Sequence, residues 1–391
     1  MNKKKTVLGG AIVLYFVVGL EILIMISPFA GFFYMVFNPF LLQMARHPAT
    51  RWLSAFFLPH LVMPPDAFLK FLRVSGSVLF VGGMAVFIVC AIQIYAAKLL
   101  KKGTVVKGLY ASIRHPQYLG LAVAGIGLSI LWPRFLVAVL WLAMVLIYYF
   151  LARDEERRML KAHKAEYEKY VKNTGMFLPR AVESRVAPST TPGKAALFTL
   201  AAVLVIGGAF SLRAYTTAHL PLWRGASVVA LSILPEDARV MDHRMADVLQ
   251  LQEIRKRLKD GENYLVYVLP ENYIMQGLIA NTGSEWKLYK RHHAIGMISD
   301  WIFHPFRHLR EGHHAMHGGP ERPGPNPGAV RRLVFLRVRG VEIEKPSDVF
   351  SMSAERTPEF MADVDMHEPG ILDIKDLPQD TGWGKVPTPV F

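Results

Sequence analysis

Lys107-Gly-Leu-Tyr-Ala-Ser-Ile-Arg114-His115-Pro116-Gln117-Tyr118-Leu119-Gly120 opens a stretch that extends to Arg180. Two apolar runs follow it, Gln117 to Trp132 and Phe135 to Ala152, separated only by Trp132-Pro133-Arg134. After them comes Arg153-Asp154-Glu155-Glu156-Arg157-Arg158-Met159-Leu160, then a polar segment ending in Phe177-Leu178-Pro179-Arg180. Two helices joined by so short a turn form an antiparallel hairpin. Its outer ends therefore lie on one side of a membrane, where the polar cluster Arg114, His115 and Tyr118 meets the acidic pair Glu155 and Glu156. Such a convergence is expected to make a site.

Composition supports the membrane reading. The chain has 391 residues, enough for two or three domains, and 52% of them are hydrophobic. Several charge-free runs reach the roughly 20 apolar residues that cross a bilayer. The net charge of +14 would by itself admit nucleic acid as a partner. Its location argues otherwise: residues 1–212 carry +15 and residues 213–391 carry −1. The excess sits beside hydrophobic runs, where basic loops orient a protein and meet anionic lipid, so no nucleic-acid partner is expected. The single cysteine, Cys90, excludes a disulfide framework or a thiolate zinc site within one chain. Inside an apolar run it reads as a small buried hydrophobe. The start, Met1-Asn-Lys-Lys-Lys5, resembles a signal peptide, but its apolar run is too long and lacks a small-residue cleavage site. A retained anchor is expected.

Taken in order, the spans number about five. Val7 to Ile26 is the first, interrupted by Glu21, which is either a site residue or a neutral packing residue. The charge-free stretch from Ile22 to Ala45 leaves room for a re-entrant or interfacial piece. Residues 38–73 form a polar connector whose Arg46-His47-Pro48 lacks the Tyr and Gly that follow Pro116, and it reads as a loop turn. Val74 to Ala97 is the second span, with Gly76, Gly82 and Gly83 placed for close helix packing. The hairpin supplies the third and fourth. Residues 153–180 are expected to leave the membrane as one helix with Glu156, Leu160, His163 and Tyr167 on a shared face. Glu155 is turned away from that face. After a Pro/Ser/Thr linker at 187–193, Ala195 to Leu212 is the fifth span.

Basic residues set the orientation. With the amino terminus in the cytoplasm, 18 Lys and Arg fall inside and 5 outside, and everything from Arg213 onward is exported. The exported part alternates like a soluble fold: Ala226 to Leu234, Tyr264 to Leu269 and Arg331 to Glu344 are strand-like, and Met241 to Lys259 is helical. The fold class is thus mainly α: a polytopic transmembrane helical bundle over residues 1–212 with a C-terminal soluble α+β domain over 213–391 and a flexible tail. His292, His293, His304, His308, His313, His314 and His317 cluster in that domain. Pro305 interrupts the helix that would align His304 with His308, and no acid-rich ligand set accompanies them, so a solvated loop is expected and no metal site is assigned.

The opening stretch resembles the isoprenylcysteine carboxyl methyltransferase and phospholipid N-methyltransferase group of integral membrane enzymes. That group shares Arg-His-Pro-x-Tyr-x-Gly, a helical hairpin, Glu-Glu-x-x-Leu, and Glu-Tyr-x-x-Tyr before a final proline. Here the positions are Arg114, His115, Pro116, Tyr118 and Gly120, then Glu155 and Glu156 with Met159 and Leu160 one place late, then Glu166, Tyr167, Tyr170 and Pro179. The Gly-x-Gly that the phospholipid branch carries on the preceding helix has no clean copy. The resemblance implies S-adenosylmethionine as cofactor, a cytoplasmic site in what would be a bacterial inner membrane, and a lipid-like or membrane-partitioned acceptor. It implies Arg114, His115 and Glu156 as catalytic-site residues. It also implies Arg114, His115, Pro116, Tyr118, Gly120, Glu155, Glu156 and Tyr167 as cofactor-binding residues. Donors at Arg114 and His115, beside a helix start at Pro116, suit the cofactor carboxylate, and Glu156 suits its ribose diol or ammonium. Tyr118 and Tyr167 are either aromatic faces for adenine or the sulfonium or tyrosines of the membrane interface. His163 is a further candidate, as base for an amine acceptor. The acceptor is a carboxylate or thiol in one branch and a headgroup amine in the other, with Arg-His-Pro-x-Tyr and Glu-Glu leaning to the first. A different class of reading is a non-catalytic anchor or sensor that works through residues 213–391, which leaves a protein partner for that domain open.

Overall fold

Pro116 stands in the first turn of a helix, where a missing N–H leaves no hydrogen bond unmade. The computed structural model describes residues 47–59, 66–100, 106–234, 236–270 and 330–377, with Met44 and Val62 besides. Contacts divide the chain into two units, one chiefly Ala67–Tyr215 and the other chiefly Thr216–Phe391.

The first unit is helical. Its elements are α1 (Ala67–Leu99), α2 (Pro116–Leu131), α3 (Phe135–Ala162), α4 (Lys164–Asn173), α5 (Arg180–Val186) and α6 (Thr191–Ala218). Among the described residues three helices are long and apolar enough to cross a membrane: Ala67–Ala97 within α1, all of α3, and α6. Val74, Val78, Val81 and Ile92 on α1, with Leu200, Val203 and Leu204 on α6, are more than half exposed. Apolar faces left this bare suit a lipid environment.

Four full spans were expected among these residues, and α2 corrects one of them. It has 16 residues, about 24 Å at 1.5 Å per residue, short of the roughly 30 Å hydrocarbon core. Both ends are set by proline: Pro116 opens it, and Pro133 bars Trp132 from helical geometry. The first expected span, Glu21 within it, and the stretch that follows lie outside the described residues apart from Met44.

Glycine brings α1 and α2 together. A Cβ added to Gly83 would stand 2.5 Å from the Gly120 carbonyl oxygen, and one added to Gly127 would stand 2.6 Å from that of Gly76. Gly76 and Gly83 lie two turns apart and face Gly120, Ala124 and Gly127, so the backbones touch as small residues permit in membranes. Gly82 meets nothing within 4 Å and takes no part.

Residues 153–180 do not form one helix. α3 ends at Ala162, His163 turns at φ −138° and ψ 55°, and α4 starts afresh at Lys164. The break separates Tyr167 from the face of Glu156, and His163 is exposed at the corner.

Among its described residues the second unit holds a six-stranded sheet in sequence order: β1 (Leu222–Arg224), β2 (Val228–Ser232), β3 (Asn263–Pro270), β4 (Val330–Arg339), β5 (Glu355–Asp365) and β6 (Gly370–Asp376). Only β2 and β3 are parallel, joined through α7 (Asp237–Gln250). Met241, Met245 and Val248 of α7 pack on Val228, Val266, Phe335 and Phe360. The expected helix to Lys259 stops at Gln250, with a separate turn at Gln252–Arg255. Residues 355–365 and 370–376, where no element was expected, are strands. Their charges are answered across the sheet: Arg332 donates to Asp363 at 2.8 and 2.9 Å, and Arg337 pairs with Glu359 at 2.7 Å. Pro358 sits opposite Leu336 at a bulge, where a lost ladder donor is tolerated. The His292–His317 cluster and the tail from 378 lie outside the described residues.

Candidate functional site

The two ends of the α2–α3 hairpin are 42 residues apart in sequence and in contact in space. Arg114 donates through Nε to Glu156 Oε1 at 2.6 Å, and the two side chains are 8% and 14% exposed. Its Nη1 donates to the Val171 carbonyl at 3.3 Å and to that of Thr174. Had the arginine and glutamate ended on opposite faces of the bilayer, no shared site would exist.

A short ladder fixes this meeting. Ile113 bridges Gly175 in parallel, the Arg114 N–H donates to Gly175 O at 2.8 Å, and the His115 N–H donates to Met176 O at 3.0 Å. One carboxylate oxygen of Glu183 in turn accepts from the N–H groups of Met176, Phe177 and Leu178 at 2.5, 3.2 and 3.3 Å. The segment before α2 is thus held by the segment after α4, not by the hairpin alone.

His115 stands between the two glutamates. Nδ1 is 3.4 Å from Glu155 Oε2, and Nε2 is 3.5 Å from Glu156 Oε1. These are ion-pair distances: both nitrogens are buried and neither makes a well-formed hydrogen bond. Burial alone would lower the imidazole pKa, but the two carboxylates outweigh it and hold the value above the ordinary range. Tyr118 donates to Glu155 Oε1 at 2.6 Å. Its ring stacks on His115 at 5.6 Å and on Tyr148 at 5.1 Å. Phe177 closes the other side of the imidazole at 6.1 Å.

Tyr167 is buried on α4. Burial, with the Glu156 charge added, pushes its hydroxyl up to about 12, while Arg114 pulls the other way. Tyr170 donates to the Tyr110 carbonyl at 2.6 Å, and Tyr110 donates to Gln117 at 2.9 Å. Pro116 opens α2 beneath His115, and Gly120, one turn on, faces α1. His163 joins none of these contacts.

Arg114, His115, Tyr118, Glu155 and Glu156 therefore form one cluster, mostly buried with Glu155 at its more open side, in which a guanidinium and an imidazole face two carboxylates and Tyr167 stands at the edge. Glu155, expected to turn away, is drawn in by Tyr118 and His115. Tyr148, Phe177, Glu183 and the carbonyls of Val171 and Thr174 escaped sequence reading. Only Tyr148 left a signal, lying two helical turns before Glu155. Among the described residues no group of His, Cys, Asp and Glu is placed to hold a metal ion.

Comparison with known proteins adds one finding: residues 50–174 match the model of DUF1295, a protein family of unknown function. The match covers the cluster but under half of the chain, and it stops before Glu183. No curated protein and no solved structure matches significantly.

Proposed function

We propose that residues 1–212 are an integral membrane methyltransferase that binds S-adenosylmethionine at the Arg114–Glu156 cluster and methylates a lipid-like or membrane-partitioned acceptor. The observation that carries the proposal is the meeting of Arg114, His115, Glu155 and Glu156 in one cluster at the open end of an apolar hairpin. The matched family's place in the steroid 5-alpha-reductase and isoprenylcysteine-methyltransferase-like superfamily supports it.

The residues fit that cofactor chemically. Its carboxylate needs a guanidinium, which Arg114 supplies. Its ammonium and ribose hydroxyls need anionic acceptors, which Glu155 and Glu156 supply. A sulfonium is attracted to an aromatic face, and Tyr167 at the edge of the cluster would present one. The buried His115 nitrogens lack well-formed hydrogen bonds, a costly state that a ligand relieves. S-adenosylmethionine would supply a methyl carbon on a sulfonium, to which an acceptor bonds in line as the carbon–sulfur bond breaks and the neutral thioether S-adenosylhomocysteine leaves. The chain's own part is to position the partners and exclude water. Binding exchanges the internal partners of Glu155 and Glu156 for those of the ligand, and the apolar hairpin keeps water away. The excess of Lys and Arg in the flanking loops supports a cytoplasmic position for this end of the hairpin.

The test is transfer of labelled methyl from S-adenosylmethionine to a total lipid extract by the purified full-length protein. A base-labile label that leaves as methanol identifies a carboxylate acceptor, and a base-stable label identifies an amine or thiol. No transfer to any lipid fraction would contradict the proposal. The separate six-stranded sheet favours a second role, in which the C-terminal unit recruits a protein partner or senses a signal. Turnover of lipid would exclude a purely non-catalytic anchor.

A further inference from the structure

Behind the ladder that holds Arg114 lies a second polar feature, a cleft of about 500 Å³. Its polar lining is Ser112, Asn173, Arg180 and Ser184, with Pro179 and Ala181 as apolar wall. We propose that this cleft binds the phosphate of an anionic phospholipid headgroup. The inference goes beyond the methyltransferase reading and does not depend on it.

The donor set is the first argument. Arg180 gives one N–H to the Val171 carbonyl at 3.1 Å, and its other donors have no partner among the described residues. The side chains of Ser112 and Asn173 likewise make no hydrogen bond there, and Ser184 reaches only the Ala181 carbonyl at 3.4 Å. A guanidinium flanked by two hydroxyls and an amide is a donor array suited to phosphate oxygens.

Charge is the second argument. No acidic side chain lines the cleft. Glu183, the acid nearest in sequence, is committed through one oxygen to three backbone N–H groups.

Position is the third. α5 carries Arg180 and Ser184 together with Val182 and Val186, which are 46% and 55% exposed. The membrane-length helix α6 begins at Thr191, five residues after α5 ends. A phosphate in the cleft therefore sits at the level of lipid headgroups, while the exposed valines on the far face of α5 lie toward the acyl region. The Val171 carbonyl also accepts from Arg114 at 3.3 Å, so one oxygen joins the guanidinium of the cleft to that of the cluster.

The experiment titrates short-chain phosphatidylglycerol into full-length protein in neutral detergent and follows binding by native mass spectrometry. Diacylglycerol of the same chain length serves as the probe without phosphate. Arg180→Gln, which keeps a donor for Val171, should weaken phosphatidylglycerol binding about tenfold. Arg157→Gln, an equal charge change on exposed α3, should leave it within about twofold, and Arg180→Lys should recover part of the loss. Diacylglycerol binding should not respond to Arg180. Competition by inorganic phosphate would show that the phosphate group alone is recognised. Arg180-dependent binding without such competition would show that the lipid-borne form is required. Equal losses in the Arg180 and Arg157 variants would reduce the effect to general surface charge and overturn the proposal, as would an unchanged affinity in Arg180→Gln with an unchanged thermal midpoint.

Discussion

Each end of the α2–α3 hairpin buries an arginine, and the two are answered differently. At the open end Arg114 meets a carboxylate at 2.6 Å, with a second carboxylate and an imidazole alongside. At the turn Arg134, 4% exposed, lies with its guanidinium carbon 4.5 Å over the Phe56 ring and 5.9 Å over that of Trp132. Phe57 donates to the Pro133 carbonyl at 2.8 Å and seals that end. The carboxylates at the open end can exchange a protein partner for a ligand, whereas the aromatic packing around Arg134 fixes the turn. The contrast separates the end built to bind from the end built to hold.

The largest effect should come from breaking the first kind of partnership. Glu156→Ala leaves Arg114 buried without its nearest anion, and we expect a loss of about 3–5 kcal/mol. Denaturant unfolding in detergent, followed by tryptophan fluorescence, measures it. Glu156→Gln should lose less, because the amide oxygen still accepts from Nε.

Phe56→Ala probes the other end. It empties a site that is 1% exposed and should cost about 3 kcal/mol by cavity formation. Cofactor affinity should stay within about twofold, since nothing at the open end changes. If this variant abolished cofactor binding, the division of roles between the two ends would fail.

Tyr118→Phe removes the 2.6 Å hydrogen bond to Glu155 while keeping the stack on His115 and Tyr148. A cost of about 1 kcal/mol is expected in the same unfolding assay.

The smallest effect is a slope with pH. The folded protein raises the His115 pKa, so protonated His115 stabilises the fold fully below the ordinary value of 6.5. That contribution is lost as pH rises through the raised value. Unfolding free energy should therefore decline across that window, and His115→Gln should flatten the decline. A steeper slope in the variant would contradict the placement of His115 between two carboxylates.

The open end was legible in sequence because two polar motifs flank two apolar runs joined by one tight turn. That arrangement puts Arg114 and Glu156 at the same end of the hairpin. The ladder from Ser112 to Met176 was not legible, because its bonds are backbone to backbone and carry no side-chain signature. Glu183 looked like any solvated glutamate until its three amide donors were seen. The break at His163 was hidden by an unbroken run of helix-forming residues around it, which is why Tyr167 was expected on the face of Glu156. α2 was expected to cross the membrane because its composition is apolar, yet its length is set by the prolines at either end. In the second unit, strands β5 and β6 were missed because Arg332, Arg337, Glu359 and Asp363 resemble exposed charges in sequence and are paired across the sheet in space.

The account rests on the Arg114–Glu156 cluster being a cofactor site. Calorimetric titration of S-adenosylmethionine into the purified full-length protein in detergent tests this most directly. We predict saturable binding at one site per chain, weakened at least about a hundredfold by Glu156→Ala, as loss of a buried charged partner implies. No binding, equal affinity in the variant, or binding of a reduced nicotinamide dinucleotide in its place would contradict it.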